Sequence, residues 1–225
     1  AIVESLPDER LEVIATDLQR VVGGQLGQMA GKRTAFQFQS QFWAGAMLVG
    51  TGVSAVVPPQ GSETRVDYLL MNGTINYGVE VKRPEKRETA GKLLRDAASQ
   101  LRRAKLEGAV IMDLSDCFQE FWHSADVPRG RTEAGFDEMA SELSSMIFDE
   151  HARKIQPGFE NVLALMLTIR SIHWYEGQEQ PDLMLRSFYG SFNRGPRGTL
   201  RYHRGVWLRN LMQNGLESWG YVSTS

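Results

Sequence analysis

The chain carries a single cysteine, Cys117, so no disulfide can form within it. Its four histidines are scattered, and none stands at zinc-ligand spacing from a cysteine or another histidine. The longest apolar run, Val162 to Ile169, falls far short of the ~20 residues that a membrane-spanning helix needs. There is no signal-peptide pattern, no phosphate-binding G-x-x-x-x-G-K-[ST] loop and no internal repeat. "GTGVSA" at Gly50 to Ala55 mimics a dinucleotide-binding glycine pattern, but Pro58-Pro59 leaves no room for the helix it requires. These absences argue against a secreted disulfide scaffold, a zinc module, a helical membrane protein and an ATP-driven machine. The expected setting is reducing cytoplasm, where Asn72-Gly73-Thr74 reads as a turn rather than a glycosylation site. Cys117 is expected to be buried, and His173 structural or at the surface.

Net charge is also scarce. The formal value is -2, yet the charges are blocked. Lys82 to Lys105 holds nine Lys/Arg against three acids, and Arg194 to Arg209 holds five Arg and no acid. Glu107 to His151 reverses the sign, with eleven acids and two Arg. Separated blocks suit one face to an anion; the alternative is a set of solvated helix faces.

What the chain does have is 225 residues with 42% hydrophobic content, enough for one substantial core. Periodicity predicts a helix over 9–29 and a second from Thr34 towards Leu48, ended by Gly50 and Gly52. "VSAVVPP", "RVDYLLM" and "INYGVEVK" read as three strands, the last two joined at Asn72-Gly73. A helix follows over Thr89–Lys105, with Leu93, Leu94, Ala97, Ala98, Leu101 and Ala104 as its apolar stripe. "GAVIMDL" suits a strand buried on both faces, and Asp113 and Asp116 beyond it read as loop-capping acids. Another helix is predicted over Glu133–Lys154. Two long strand-like runs and an Arg- and aromatic-rich tail close the chain. The order is that of a mixed α/β layer architecture.

The informative feature is the placement of acids in the hairpin. A two-residue Asn72-Gly73 loop pairs Met71 with Thr74 and puts Asp67 opposite Gly78. Period-two alternation then carries Asp67, Glu80 and Lys82 on one face, with Tyr77, Val79 and Val81 on the other. Asp67 and Glu80 become diagonal neighbours, with Gly78 leaving room between them for an ion. Two carboxylates brought together repel each other and need a cation. Hard oxygen donors suit Mg²⁺, with Mn²⁺ as its substitute. Lys82, on the same face, is placed to act on a water or on developing phosphate charge.

Asp67, twelve intervening residues and then Glu80-Val81-Lys82 resembles the PD-(D/E)XK nuclease superfamily, whose restriction-endonuclease-like core is an αβββαβ unit with a mixed central sheet flanked by helices. The predicted order from Thr34 to Leu114 is similar and covers about a third of the chain. The resemblance implies a single nuclease-like domain: a core over about 34–114, an N-terminal helical extension over 1–33 and C-terminal additions over 115–225. It makes Asp67 and Glu80 the metal-binding acids, with the Val81 carbonyl as a further ligand, Lys82 acting on the attacking water, and Gln100 facing the site from the next helix. Three positions depart from the family pattern. Val66 stands where Pro is common, and Ala104 stands where one subgroup has Tyr. The first core helix offers Gln37, Gln39 and Gln41 where many members have a Glu. Glu9 or Glu12 is a candidate substitute, as is contact by one of the Gln side chains.

Lys92, Arg95, Arg102 and Arg103 would make a phosphate track beside such a site. Arg194, Arg197, Arg201 and Arg204 interleave with Tyr202, His203 and Trp207, a pattern suited to phosphates and unpaired bases. The other reading of that tail is a terminal helix packing Trp207 and Leu208. The resulting expectation is a Mg²⁺-dependent endo- or exonuclease acting on DNA, with RNA less expected. A homodimer is a further expectation, since cutting both strands of a duplex needs two sites. The alternative is a non-catalytic nucleic-acid-binding or assembly module on the same fold.

Overall fold

The computed structural model describes residues 35–56, 66–124, 132–152, 158–173, 182–191 and 197–217. The helix predicted over 9–29, with Glu9 and Glu12, lies outside these residues, as does Arg194. In chain order the elements are α1 (Ala35–Gly50), β1 (Ser54–Val56), β2 (Tyr68–Asn72), β3 (Ile75–Lys82), α2 (Arg87–Arg103), β4 (Gly108–Asp113), α3 (Ser115–Ser124), α4 (Glu133–Ile147, running into a π turn at Phe148–Ala152), β5 (Val162–His173), β6 (Asp182–Ser191) and α5 (Leu200–Glu217).

Six strands form one mixed sheet in the order β1-β2-β3-β4-β5-β6. β3, β4 and β5 are mutually parallel; β1, β2 and β6 join antiparallel. Every residue of β4 is buried, as its unbroken apolar run requires of a strand covered on both faces. One face of the sheet packs Leu94, Ala98 and Leu101 of α2, Phe118 of α3 and Phe136 and Leu143 of α4 against Val110, Met112, Leu165 and Leu167. The other packs Ala44, Met47 and Leu48 of α1 and Leu208 and Met212 of α5 against Val79, Val81, Ile111 and Met166. The sheet does not stop at β4: β5 and β6, drawn from the chain after residue 114, complete it.

The hairpin register differs from the sequence expectation by two residues. Asn72 pairs with Ile75 and Tyr68 with Val79, so the turn is Gly73-Thr74. Gly73 has φ +61°, and it occupies the first central position, where a type II′ turn wants glycine; Asn72 is not left-handed. A shift of two keeps every side chain on its predicted face. It also brings Gly78 opposite Leu69 rather than Asp67. The space that Gly78 leaves is not an ion site: a Cβ there would lie 2.5 Å from Leu101 Cδ2. Gly78 lets α2 press against the sheet, and Gly78→Ala would cost about 1–3 kcal/mol by overpacking.

One further difference concerns a helix. Ser115–Ser124, to which the sequence reading gave no element, is a helix whose first turn holds Asp116. The Arg-rich tail is helix α5, with Leu208 buried and Trp207 stacked on Tyr77 at 5.2 Å. Cys117 is buried, its thiol donating to the Pro84 carbonyl at 3.3 Å.

Candidate active site

The C-terminal ends of β3, β4 and β5 lie together, the end of a parallel sheet where α/β proteins gather ligands. β3 delivers Glu80 and Lys82 to the α2 face. Glu80 is fully buried. Lys82 Nζ donates to Glu80 Oε2 at 2.5 Å and to Gln100 Oε1 at 2.6 Å. An ammonium has three donors, so two hold its position and one remains for the cleft. Gln100 reaches it because α2 buries Leu94, Ala97 and Leu101 and turns the flank of that stripe towards the end of β3.

Asp67 sits one residue before β2. Its Oδ2 accepts the Val81 N–H at 2.8 Å, and its Oδ1 accepts from Gln41 Nε2 of α1 at 2.5 Å. The carboxylate therefore takes the place of a strand partner at the edge of β3. Continuing the ladder from Tyr68 and Val79 puts Asp67 across from Glu80 rather than diagonal to it, with its carboxylate turned to the edge of β3. N–H and C=O of a strand residue project the same way, so the Val81 carbonyl lies on the Asp67 side. Tyr68 fixes this edge to α1, its hydroxyl donating to the Gln41 carbonyl at 2.6 Å.

A cleft of about 360 Å³ opens here, between α1, the end of β3 and α2. Ser40, Gln41, Val81, Lys82, Arg83 and Gln100 are among the residues lining it. Asp96, Ser99 and Arg103 add a polar wall from α2, and Leu93, expected in the apolar stripe, lines it too. Of the four residues of the predicted phosphate track, Arg103 lines the cleft, and Lys92, Arg95 and Arg102 are exposed on α2. Arg102 and Arg103 also sit in the last turn of α2, where the helix dipole favours cations.

The tail arginines are placed elsewhere. Arg201 Nη1 pairs with Glu107 Oε1 at 3.2 Å and Arg204 Nη1 with Glu107 Oε2 at 2.9 Å. Glu107 precedes β4 at the end where Gly108 pairs with Gly78, four residues before Lys82 on β3. That is about 13 Å from the cleft along the strand. Arg197 is exposed in the turn before α5.

On the opposite face from Lys82, Arg83 enters a second cluster that the sequence reading did not assign. Arg83 Nε and Nη2 grip both oxygens of Asp116 at 2.7 and 2.6 Å, and Nη1 reaches Asp113 Oδ2 at 3.2 Å and Ser40 Oγ at 3.3 Å. Arg170 of β5 also donates to Asp113 Oδ2, as does Ser40 Oγ. Asp113 Oδ1 accepts the Ser115 N–H at 3.1 Å, so its expected capping role is present but is only part of what it does. Burial alone would raise the Asp113 carboxyl; the Arg170 and Arg83 guanidinium groups outweigh it and hold the group below the usual carboxylate range. Burial likewise opposes the charge on Arg83, and the carboxylates of Asp116 and Asp113 push its pKa up instead. One signal was available: successive strand residues face opposite sides, so Lys82 and Arg83 could not share their partners.

Asp67, bonded to the edge of β3 at Val81, and Glu80 and the Val81 carbonyl at the end of β3 are hard oxygen donors of the kind Mg²⁺ takes. Mg²⁺ keeps several waters and needs only one or two carboxylates, so the donor set fits in kind. Among the described residues no group of three or more His, Cys, Asp or Glu side chains is gathered for a metal. No described helix is long and apolar enough to cross a membrane. Comparison with family models, curated proteins and solved structures gives no match for this chain.

Proposed function

We propose that the chain is a metal-dependent nuclease of PD-(D/E)XK type, hydrolysing phosphodiester bonds in DNA. The observation that carries this reading is the Lys82 ammonium, held by Glu80 and Gln100 at the mouth of a cleft that Gln41 and Val81, the two hydrogen-bond partners of Asp67, also line. The strand order β1-β2-β3-β4 between α1 and α2 supports a restriction-endonuclease-like core. Asp67, Glu80 and the Val81 carbonyl would hold Mg²⁺, or Mn²⁺ in its place. When bound, the ion supplies Lewis-acid charge at the phosphoryl oxygens.

The chain's own groups do the rest. Lys82 presents its remaining N–H to the cleft, where it orients a water or donates to the phosphate as negative charge grows. Gln100 and Glu80 fix that donor before substrate arrives, so little reorganisation is needed during reaction. Arg103, with Lys92 on the same helix face, offers positive charge to the flanking phosphates.

A second reading has a specific observation in its favour. α1 brings Gln41, an amide, to Asp67 where a third acid would strengthen a metal site. On that reading the fold is a nucleic-acid-binding or assembly module without catalysis. Cleavage of plasmid, linear duplex and single-stranded DNA in Mg²⁺, Mn²⁺ or EDTA separates the two. Metal-dependent cutting that is lost in both Glu80→Ala and Lys82→Ala is the expected result. DNA binding that persists in EDTA with no cutting in any metal would favour the module.

A further inference from the structure

We propose that Arg83 is a positioning residue, whose clamp on α3 and Asp113 sets where Lys82 presents its ammonium in the cleft. The inference rests on reading Lys82 as the cleft's active cation. Arg83 lines the cleft but is only 8% exposed, and each of its three guanidinium nitrogens is bonded within the protein. It is therefore poorly placed to bind a ligand and well placed to hold the chain. The next residue is held by the same helix: the Pro84 carbonyl accepts from Cys117, adjacent to Asp116. Two consecutive residues after Lys82 are thus clasped by the first turn of α3, while Ser40 ties Arg83 to α1.

Stability alone is a weak reason for such a cluster. Ion pairs taken out of water recover their desolvation cost only with good geometry, and apolar side chains of similar volume often serve as well or better. What the cluster adds is direction. A bidentate Arg–carboxylate pair fixes orientation as well as charge, and a lysine at the same position would keep the charge but lose the fork. This fork acts on the residue next to Lys82, at the point where β3 enters the cleft.

The test compares wild type with Arg83→Lys and with the milder Asp116→Asn, which keeps the fold if the lysine variant does not. The readout is the side-chain NH₃⁺ signal of Lys82 in a ¹H–¹⁵N spectrum, assigned by its loss in Lys82→Arg, with exposed Lys92 as the internal reference. We expect the Lys82 signal to move or broaden while that of Lys92 stays. On DNA, kcat should fall between about ten- and a hundredfold with KM held within about twofold, as misplacement of a reacting group does. A Lys82 signal unchanged in a folded variant would overturn the proposal, as would equal movement of both lysine signals. If the wild type cuts no DNA in any metal, the nuclease reading fails by itself, and the Lys82 signal still decides the role of Arg83.

Discussion

Lys82 and Arg83 are neighbours in sequence and are held in different ways. Lys82 faces α2, where a fully buried glutamate and one glutamine hold it at the lip of a cleft. Arg83 faces α1 and α3, inside a cluster of two carboxylates, two guanidinium groups and two hydroxyls. One side chain keeps a donor in reserve; the other has every nitrogen committed. The strand's alternation thus sorts the two cations into one that can meet a ligand and one that holds the frame. A basic run in the sequence is not a single surface, and its members are distinguished by what is packed on each face of the sheet.

The largest effect should come from the framing side. Asp113→Asn leaves the buried Arg83 and the partly exposed Arg170 without their shared carboxylate, and breaking a buried pair costs up to about 3–5 kcal/mol. Urea unfolding at neutral pH measures it. The pH dependence has a definite sign. Asp113 is held below its ordinary range in the fold, so its stabilisation is present above the unfolded pKa and is lost as pH falls through the folded value. The gap between wild type and variant should be full at pH 7 and should shrink below about pH 4, the ordinary carboxylate value. A gap that does not change with pH would assign the loss to packing rather than charge.

On the cleft side, Lys82→Ala should remove the donor and also leave the fully buried Glu80 without its cation. The expected loss in kcat on DNA is about 10²–10³, the range for deleting one preorganised donor, and stability should fall as well because a buried carboxylate loses its partner. Equal loss of kcat in Lys82→Ala and Asp113→Asn would dissolve the distinction between the two clusters.

Gln41 sharpens the comparison, because α1 touches both sites: Ser40 bonds Asp113 and Gln41 bonds Asp67. Gln41→Glu replaces a donor to Asp67 with a second carboxylate. Without metal the variant should be less stable than wild type, since like charges meet. With Mn²⁺ the loss should reverse, and Mn²⁺ should bind about tenfold tighter, the scale of effects around a metal site. Calorimetric titration of Mn²⁺ reads this directly. No gain in affinity would count against Asp67 and Glu80 as a shared metal site.

Much of this was legible in the sequence. β3 was read to its terminal residues and β4 to within one, because Asn-Gly punctuation and an unbroken apolar run are local signals. Faces survived a wrong register because the error was two residues and side chains alternate with period two. That Gln100 faces the end of β3 was expected from the resemblance; its bond to Lys82 was not. The position of Asp67 did not, because it lies beyond the paired strand, where a carboxylate can turn into the plane of the sheet. Nor did the partners of Arg83: Ser40, Asp113, Asp116 and Arg170 come from four elements, and only the sheet order brings them together. α3 was missed because ten residues beside two acids look like a loop in one dimension.

The smallest effect should separate the two groups of arginines. Arg103 lines the cleft, whereas Arg201 and Arg204 share Glu107 at the other end of the strands. A phosphate contact releases counterions, so its removal lowers the slope of log affinity against log salt by about one. Arg103→Ala should do this to DNA binding measured across salt concentrations. Arg204→Ala should leave the slope unchanged, because its charge is already opposed by a carboxylate within the fold, and should cost at most about 1 kcal/mol as a partly exposed pair. If both variants lower the slope, DNA reaches from the cleft to α5 and the Glu107 pairs open to admit it. If only Arg204→Ala does, the binding surface lies on the far end, and the cleft with Lys82 serves another ligand.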